Sequence, residues 1–222
     1  MPLSRAARLF IVGFSLTVLV LSTALPVSAD AASKWKVGYY TPSTPGTLSM
    51  SVAGQGGIGS LDFTNLPNTA LLATDHGSFK GQLLGNLTGK QITATFVVSG
   101  VTGDFTYFGE GTANNPCGTP ASVRFYFATD NGGGFAFTHY WWSNPASQVL
   151  SNGSFTLTAN VEPAEWSDWN GQVGTSVAAG FNDAAANVTL IGLSFGGGCF
   201  FENGVGTTDG SGTFTLNSFT TS

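Results

Sequence analysis

Cationic charge is the scarcest resource in this chain of 222 residues. Seven Lys and Arg stand against twelve Asp and Glu, and charged residues make up 9% of the whole. A surface this poor in cations cannot neutralise a run of phosphates, which excludes nucleic acid and anionic membrane surfaces as partners. Histidine is almost as rare. His76 and His139 are the only two, and neither sits in a nucleophile motif, so no serine or cysteine triad can be composed. The two cysteines, Cys117 and Cys199, and the two distant histidines are too few for a zinc site. Long helical patterns are missing as well, which removes the all-α and α/β classes.

What is present begins with a targeting pattern. Arg5 and Arg8 give a basic start, Leu9 to Leu25 an apolar core, and Val27-Ser28-Ala29 a small-residue cleavage site before Asp30. A retained anchor fits less well, because Gly13, Ser15, Thr17, Ser22 and Thr23 interrupt the apolar run. Residues 1–29 are therefore expected to be a signal peptide and residues 30–222 a single secreted domain, extracellular or periplasmic, with no membrane insertion once the signal is gone. The remaining chain carries five Lys plus Arg against twelve acids, a net charge of −7. A monomer is expected. In an exported chain the two cysteines are expected to pair as Cys117–Cys199. A reactive thiol would need a neighbouring base, and no histidine adjoins either one.

Along the chain, period two recurs. Trp35 to Tyr40 reads as a strand, Thr41 to Gly46 with its two prolines as a loop, and Leu48 to Val52 as a brief alternation. Gly54 to Gly59 reads as a turn; it lacks the lysine and strand–turn–helix context of a phosphate loop. Pro67 stops any central strand after Leu61-Asp62-Phe63. Ile92, Ala94, Phe96 and Val98 share one face, as do Val123, Phe125 and Phe127, and again Phe155, Leu157, Ala159 and Val161. Runs over Val188 to Phe195 and Gly212 to Phe219 follow, and Phe181, Ala184, Ala185 and Val188 fit one short helix within Val177 to Asn187. Half-buried strands with polar outer faces predict an all-β fold, a two-sheet antiparallel β-sandwich with one short helix.

The order of these pieces resembles the galactose-binding-domain-like jelly rolls, a group that includes many carbohydrate-binding modules and laminin-B-type domains. The resemblance is carried by Phe79 to Phe96, Ser122 to Ala128, Phe155 to Thr158 followed by Glu165-Trp166, Phe181 to Phe195, and Gly212 to Phe219. Asn217 stands where the family places an acidic residue or Asn in its last strand, and Phe108 to Pro120 is an insert outside the family layout. The resemblance implies a jelly roll and carbohydrate binding. It also implies the option of a structural calcium, for which Asp130-Asn131 and Asp209 supply oxygens in glycine-rich loops, although no calcium-loop motif is present.

The stretch Cys117 to Asn144 concentrates the chemistry: a tether, two strand-like runs, and the block His139-Tyr140-Trp141-Trp142. In an extended strand His139 and Trp141 point one way, Tyr140 and Trp142 the other, so one pair belongs to the core. Candidate ligand-contacting residues are Tyr126, Tyr140, Trp142 and Trp169, with Arg124 adjoining them or serving as a salt-bridge partner. Trp166 is expected to be structural and Trp169 exposed. The carboxylates Glu110, Glu162, Glu165 and Glu202 are scattered over loops, and only Glu110, set between glycines after Tyr107-Phe108, looks positioned by its surroundings. No catalytic residue and no metal ligand is assigned. The leading expectation is a non-catalytic carbohydrate-binding module. The alternatives are a structural or adhesive surface protein without a small ligand, and a glycoside hydrolase.

Overall fold

The computed structural model describes residues 35–44, 47–54, 60–63, 68–76, 83–113, 115–130, 134–199 and 201–222, with side chains omitted for 40–44 and 47–54. The expected signal peptide, residues 55–59 of the expected turn, residues 64–67 and 79–82, and Asn131 lie outside them.

Two antiparallel sheets face one another. The larger runs β10 (Trp166–Asp168), β8 (Tyr140–Val149), β7 (Ser122–Ala128), β11 (Leu190–Gly196), β4 (Thr69–Thr74), β1 (Trp35–Thr44) and β2 (Thr47–Gly54). A short β12 (Val205–Thr207) pairs with β4 and with β6 (Phe105–Tyr107). The smaller sheet runs β3 (Ser60–Asp62), β13 (Thr213–Thr221), β5 (Gln91–Ser99) and β9 (Gly153–Asn160). One helix, α1 (Ala178–Ala186), packs Phe181, Ala184 and Ala185 inward. Among the described residues no helix is long and apolar enough to cross a membrane.

Alternation explains which atoms meet. Ile92, Ala94, Phe96 and Val98 of β5 and Leu157 and Ala159 of β9 face Val123, Phe125 and Phe127 of β7 and Ile191, Leu193 and Phe195 of β11 in one buried cluster. Burying that apolar area drives the sheets together. Phe96 lies against Phe155 and Phe214 with ring centroids 5.5 and 4.8 Å apart. Asn217 sits at a bulge in β13, where the register shifts between Leu216 and Ser218, so it is exposed while Leu216 and Phe219 both turn inward. The bulge resets the period of two by one residue.

Two expectations change. The loop expected over Thr41 to Gly46 begins later, because β1 continues through Pro42 to Thr44. Beyond Tyr39 it pairs, among the described residues, with β2 alone, an edge position where a missing N–H is tolerated. His139 is not extended: Phe137–His139 forms a short 3-10 turn, and β8 starts at Tyr140. Within β8, which holds a cis Asn144–Pro145 bond, the Ser143 hydroxyl accepts from the Phe125 amide at 3.0 Å and donates to the Ala146 carbonyl at 2.6 Å. The side chain thereby replaces ladder bonds where the register with β7 shifts.

Asp209 does similar work in the loop between β12 and β13. Its carboxylate accepts from Thr102 Oγ1 at 2.5 Å and from the Ser211 amide and hydroxyl at 3.0 and 2.6 Å. Those donors, Ser211 first, hold its pKa well below the usual carboxylate range. A depressed folded pKa gives stabilisation that is complete above the unfolded value of about 3.9 and lost as pH falls through the folded one. Asp209→Asn is therefore expected to lower the melting temperature at pH 7. Its difference from wild type should shrink as pH drops below about 4, which thermal melts across pH 2–7 will measure.

Candidate functional site

The outer face of the larger sheet carries a second apolar cluster. Leu71, Tyr126, Ala128 and Trp142 are buried there, with Tyr140, Leu190 and Phe201 packed against them. The alternation of β8 places them: Trp141 enters the main core, while Trp142 and Tyr140 turn outward. An outward tryptophan must be covered or exposed, and here two loops cover it.

The first cover is the turn 168–172. Asp168 Oδ1 accepts from the amides of Asn170 at 3.0 Å and Gln172 at 2.8 Å, and Gly171 occupies the left-handed region at φ 77°. This Asp-led turn throws Trp169 outward at its apex. The second cover is the loop after β11. Asn203 accepts from the Gly197 amide at 2.9 Å and donates to the carbonyls of Phe108 at 2.9 Å and Gly197 at 3.1 Å. Cys199 is bonded to Cys117, as the sequence suggested, and its amide donates to Asn115 Oδ1 at 2.7 Å. Gly198, at φ 65°, lies so close to the Asn115 side chain that a Cβ would collide with it.

Between the two covers lies a groove of about 640 Å³, lined by Phe108, Phe137, Trp142, Trp169, Asn170, Gly171, Cys199, Phe201, Glu202 and Asn203. Aromatic rings form most of its apolar surface. Trp142 is the floor: Phe201 stacks on it at 5.9 Å and 20°, and Trp169 leans on it at 5.7 Å. Its indole N–H donates to Ser194 Oγ at 3.0 Å, and that hydroxyl donates to the Phe201 carbonyl at 2.7 Å. Beyond the rim, Phe135 meets Tyr140 at 5.5 Å and Trp169 at 5.8 Å, extending the aromatic surface outward.

The four aromatics expected at a ligand surface come together, but at different depths. Trp169 is 48% exposed and Tyr140 is half-buried, whereas Trp142 is 2% and Tyr126 4% exposed. Tyr126 packs against Trp142 at 5.1 Å, on the sheet beneath the loops, and so supports the floor. Trp166, fully buried, donates from Nε1 to the Asn160 carbonyl at 2.7 Å and has the structural place expected of it.

Two groups beside the floor are electrically unusual. Arg124 lies half-buried with its guanidinium carbon 4.6 Å from the Phe201 ring centroid, and burial lowers its pKa. Glu202 lines the groove with one carboxyl oxygen, Oε2, sealed from solvent and without a hydrogen-bond partner. Loss of hydration pushes its pKa from 4.5 up to about 8. Glu110, the carboxylate singled out in the sequence, is exposed. Glu202, Phe201 and Phe137 were not singled out as contacts. The signal was present in Gly196-Gly197-Gly198-Cys199-Phe200-Phe201-Glu202-Asn203-Gly204, a glycine-rich segment tethered by a cysteine and closed by Asn-Gly. Asp209, considered for calcium, has its carboxylate engaged as described. Among the described residues no three His, Cys, Asp or Glu gather as a metal-binding group.

The fold and the groove define a class: an all-β, two-sheet antiparallel sandwich with an aromatic cleft on the outer face of one sheet. No protein-family model matches the chain, and no curated protein matches it. Among solved structures, one described as a xylan-binding module CBM15 is similar over 86% of this chain and 95% of its own, at 13% sequence identity and a TM-score of 0.38.

Proposed function

We propose that this protein is a secreted, non-catalytic module that binds carbohydrate in the groove between the 168–172 turn and the 199–203 loop. The observation that carries the reading is an aromatic cleft open to solvent on a rigid sheet, with Trp169 48% and Phe137 49% exposed beside it. Flat indole and phenyl faces complement the C–H faces of sugar rings, and a few polar groups along an apolar cleft fix orientation. Among the described residues Glu202 is the single carboxylate lining this groove, whereas glycoside hydrolysis uses a flanking pair. The Cys117–Cys199 bond supports an oxidising, extracytoplasmic location.

Trp169→Ala is expected to weaken binding of a soluble polysaccharide at least about tenfold, the effect of losing roughly 1.4 kcal/mol of ring contact, while barely moving the melting temperature. Affinity electrophoresis against xylan, glucan and mannan, with melts alongside, makes the comparison. Wild-type protein that migrates unretarded in every gel would sink the reading.

A structural or adhesive module without a small ligand is the second reading. Burial of Trp141 and Trp142 favours it, because neither indole then presents a free face. Wild-type protein unretarded by every polysaccharide would support it too.

A further inference from the structure

We propose that Glu202 is the polar anchor of the groove, its carboxyl group exchanging a pair of hydrogen bonds with adjacent hydroxyls of an uncharged saccharide ring seated against Trp169. This rests on the carbohydrate reading of the same site and narrows it to neutral glycans.

Capacity for hydrogen bonding is the first ground. Asn203, the neighbouring polar residue, has spent its amide on the backbone at Gly197 and Phe108. Asn170 is exposed, so water already meets its side chain. Glu202 alone among the lining residues holds a polar atom sealed from solvent with no partner. An orphaned buried oxygen is costly; Glu202 as a whole is half-buried, so a turn of the carboxyl group brings this oxygen to the groove, where a ligand hydroxyl recovers that cost. Its position next to Phe201, which stacks on the Trp142 floor, sets the carboxyl beside the apolar surface where a ring would lie.

Electrostatics give the second ground. Among the described residues Glu202 is the only titratable group lining the groove, since Cys199 is disulfide-bonded. Arg124 contacts the Phe201 ring rather than the Glu202 carboxylate, and no ion pair joins the two. Asp168 is buried at the base of the adjoining turn, with Oδ1 taken by the Asn170 and Gln172 amides; its Oδ2 is also buried and unpartnered, but Asp168 does not line the groove. With burial raising its pKa to about 8, the carboxyl is protonated at pH 7 and has one O–H to give and one carbonyl oxygen to accept with. That pair matches vicinal hydroxyls. A uronic acid would bring a second carboxyl beside the first, and an ammonium group would find no carboxylate to pair with.

The experiment uses xylohexaose, cellohexaose and mannohexaose as neutral probes, with a galacturonic acid oligomer and a glucosamine oligomer as charged ones. Calorimetry follows wild type, Glu202→Gln and Glu202→Leu. Wild type is expected to bind a neutral hexaose best, with affinity flat from pH 5.5 to 7.5 and falling towards tenfold per unit above about 8. Glu202→Gln, which keeps a donor and an acceptor, should stay within about threefold and lose the pH dependence. Glu202→Leu should lose at least about tenfold. It should also fold, because the raised carboxyl pKa makes wild-type stability decline as pH rises from about 4.5 towards 8, and leucine removes that burden. The carbon resonance of the Glu202 carboxyl, followed by NMR without ligand, should titrate near 8.

Glu202→Leu binding a neutral hexaose as wild type does would overturn the anchor while leaving the carbohydrate reading intact, provided Trp169→Ala still loses affinity. Tightest binding of the glucosamine oligomer, abolished in Glu202→Gln, would instead assign a charged carboxylate. A wild-type protein that binds none of the five probes would overturn both.

Discussion

Trp142→Ala is expected to cost about 3–5 kcal/mol of folding stability, the range for removing a large ring from a packed site. The indole is 2% exposed and touches Tyr126 below, Phe201 above and Trp169 beside it. Its N–H holds the Ser194 hydroxyl, which in turn holds the Phe201 carbonyl, so alanine would leave both a cavity and a broken polar chain. The cover loops can collapse only partly, because Asn203 and the disulfide fix the 199–203 wall from the other side. Urea unfolding should show a much lower midpoint for Trp142→Ala and almost none of that loss for Trp169→Ala. A Trp142→Ala midpoint near wild type would mean the loops do not seal the floor. Loss of glycan binding in this variant would follow from loss of the floor, so Trp169 is the residue whose substitution isolates the contact itself.

Opening the Cys117–Cys199 bond is expected to cost up to about 4.5 kcal/mol, from the loop entropy of 82 residues of separation in the unfolded chain. Measured removals run about 2–5 kcal/mol. The local consequence is as important. Cys199 lines the groove, and the hydrogen bond from its amide to Asn115 Oδ1 is placed by the same link. The double variant Cys117→Ala/Cys199→Ala should therefore unfold at lower urea and, under conditions where it is still folded, bind glycan more weakly than wild type. Unfolding midpoints with and without a thiol reductant, with calorimetry on the folded fraction, test the two effects separately. A midpoint indifferent to reduction would refute the entropic part.

The strands legible in the sequence are those with one wet face. β5, β7 and β9 announce themselves because Thr, Gln, Asn or Arg alternates with Ile, Phe, Leu or Val. No alternation marks β4, Thr69–Thr74, whose six residues are all buried. It lies between β1 and β11 with cover on both faces, so it has no period of two to detect. The three-residue strands β6, β10 and β12 are too short to hold a pattern at all. The neighbours of His139 suggest an extended strand, but the Ala136 carbonyl captures its amide in a tight turn.

The aromatic site was half legible. Alternation in Tyr140-Trp141-Trp142 separated the core indole from the outward one, and the structure divides them that way. Local pattern could not say whether an outward ring is free, because that depends on what crosses above it. Phe201 and Trp169 cross Trp142, and they come from positions 59 and 27 residues further along the chain.

By itself, the sequence determined the all-β class, the inward faces of the alternating strands, the short helix and the pairing of the only two cysteines. Those follow from local period and from counting, which need no knowledge of distant neighbours. Tertiary structure alone decided the rest: that Trp142 is a floor and Trp169 a wall, that Glu110 meets water, and that one carboxyl oxygen of Glu202 loses it. Hydration is a property of the whole surface around an atom, and loops remote in sequence close that surface here.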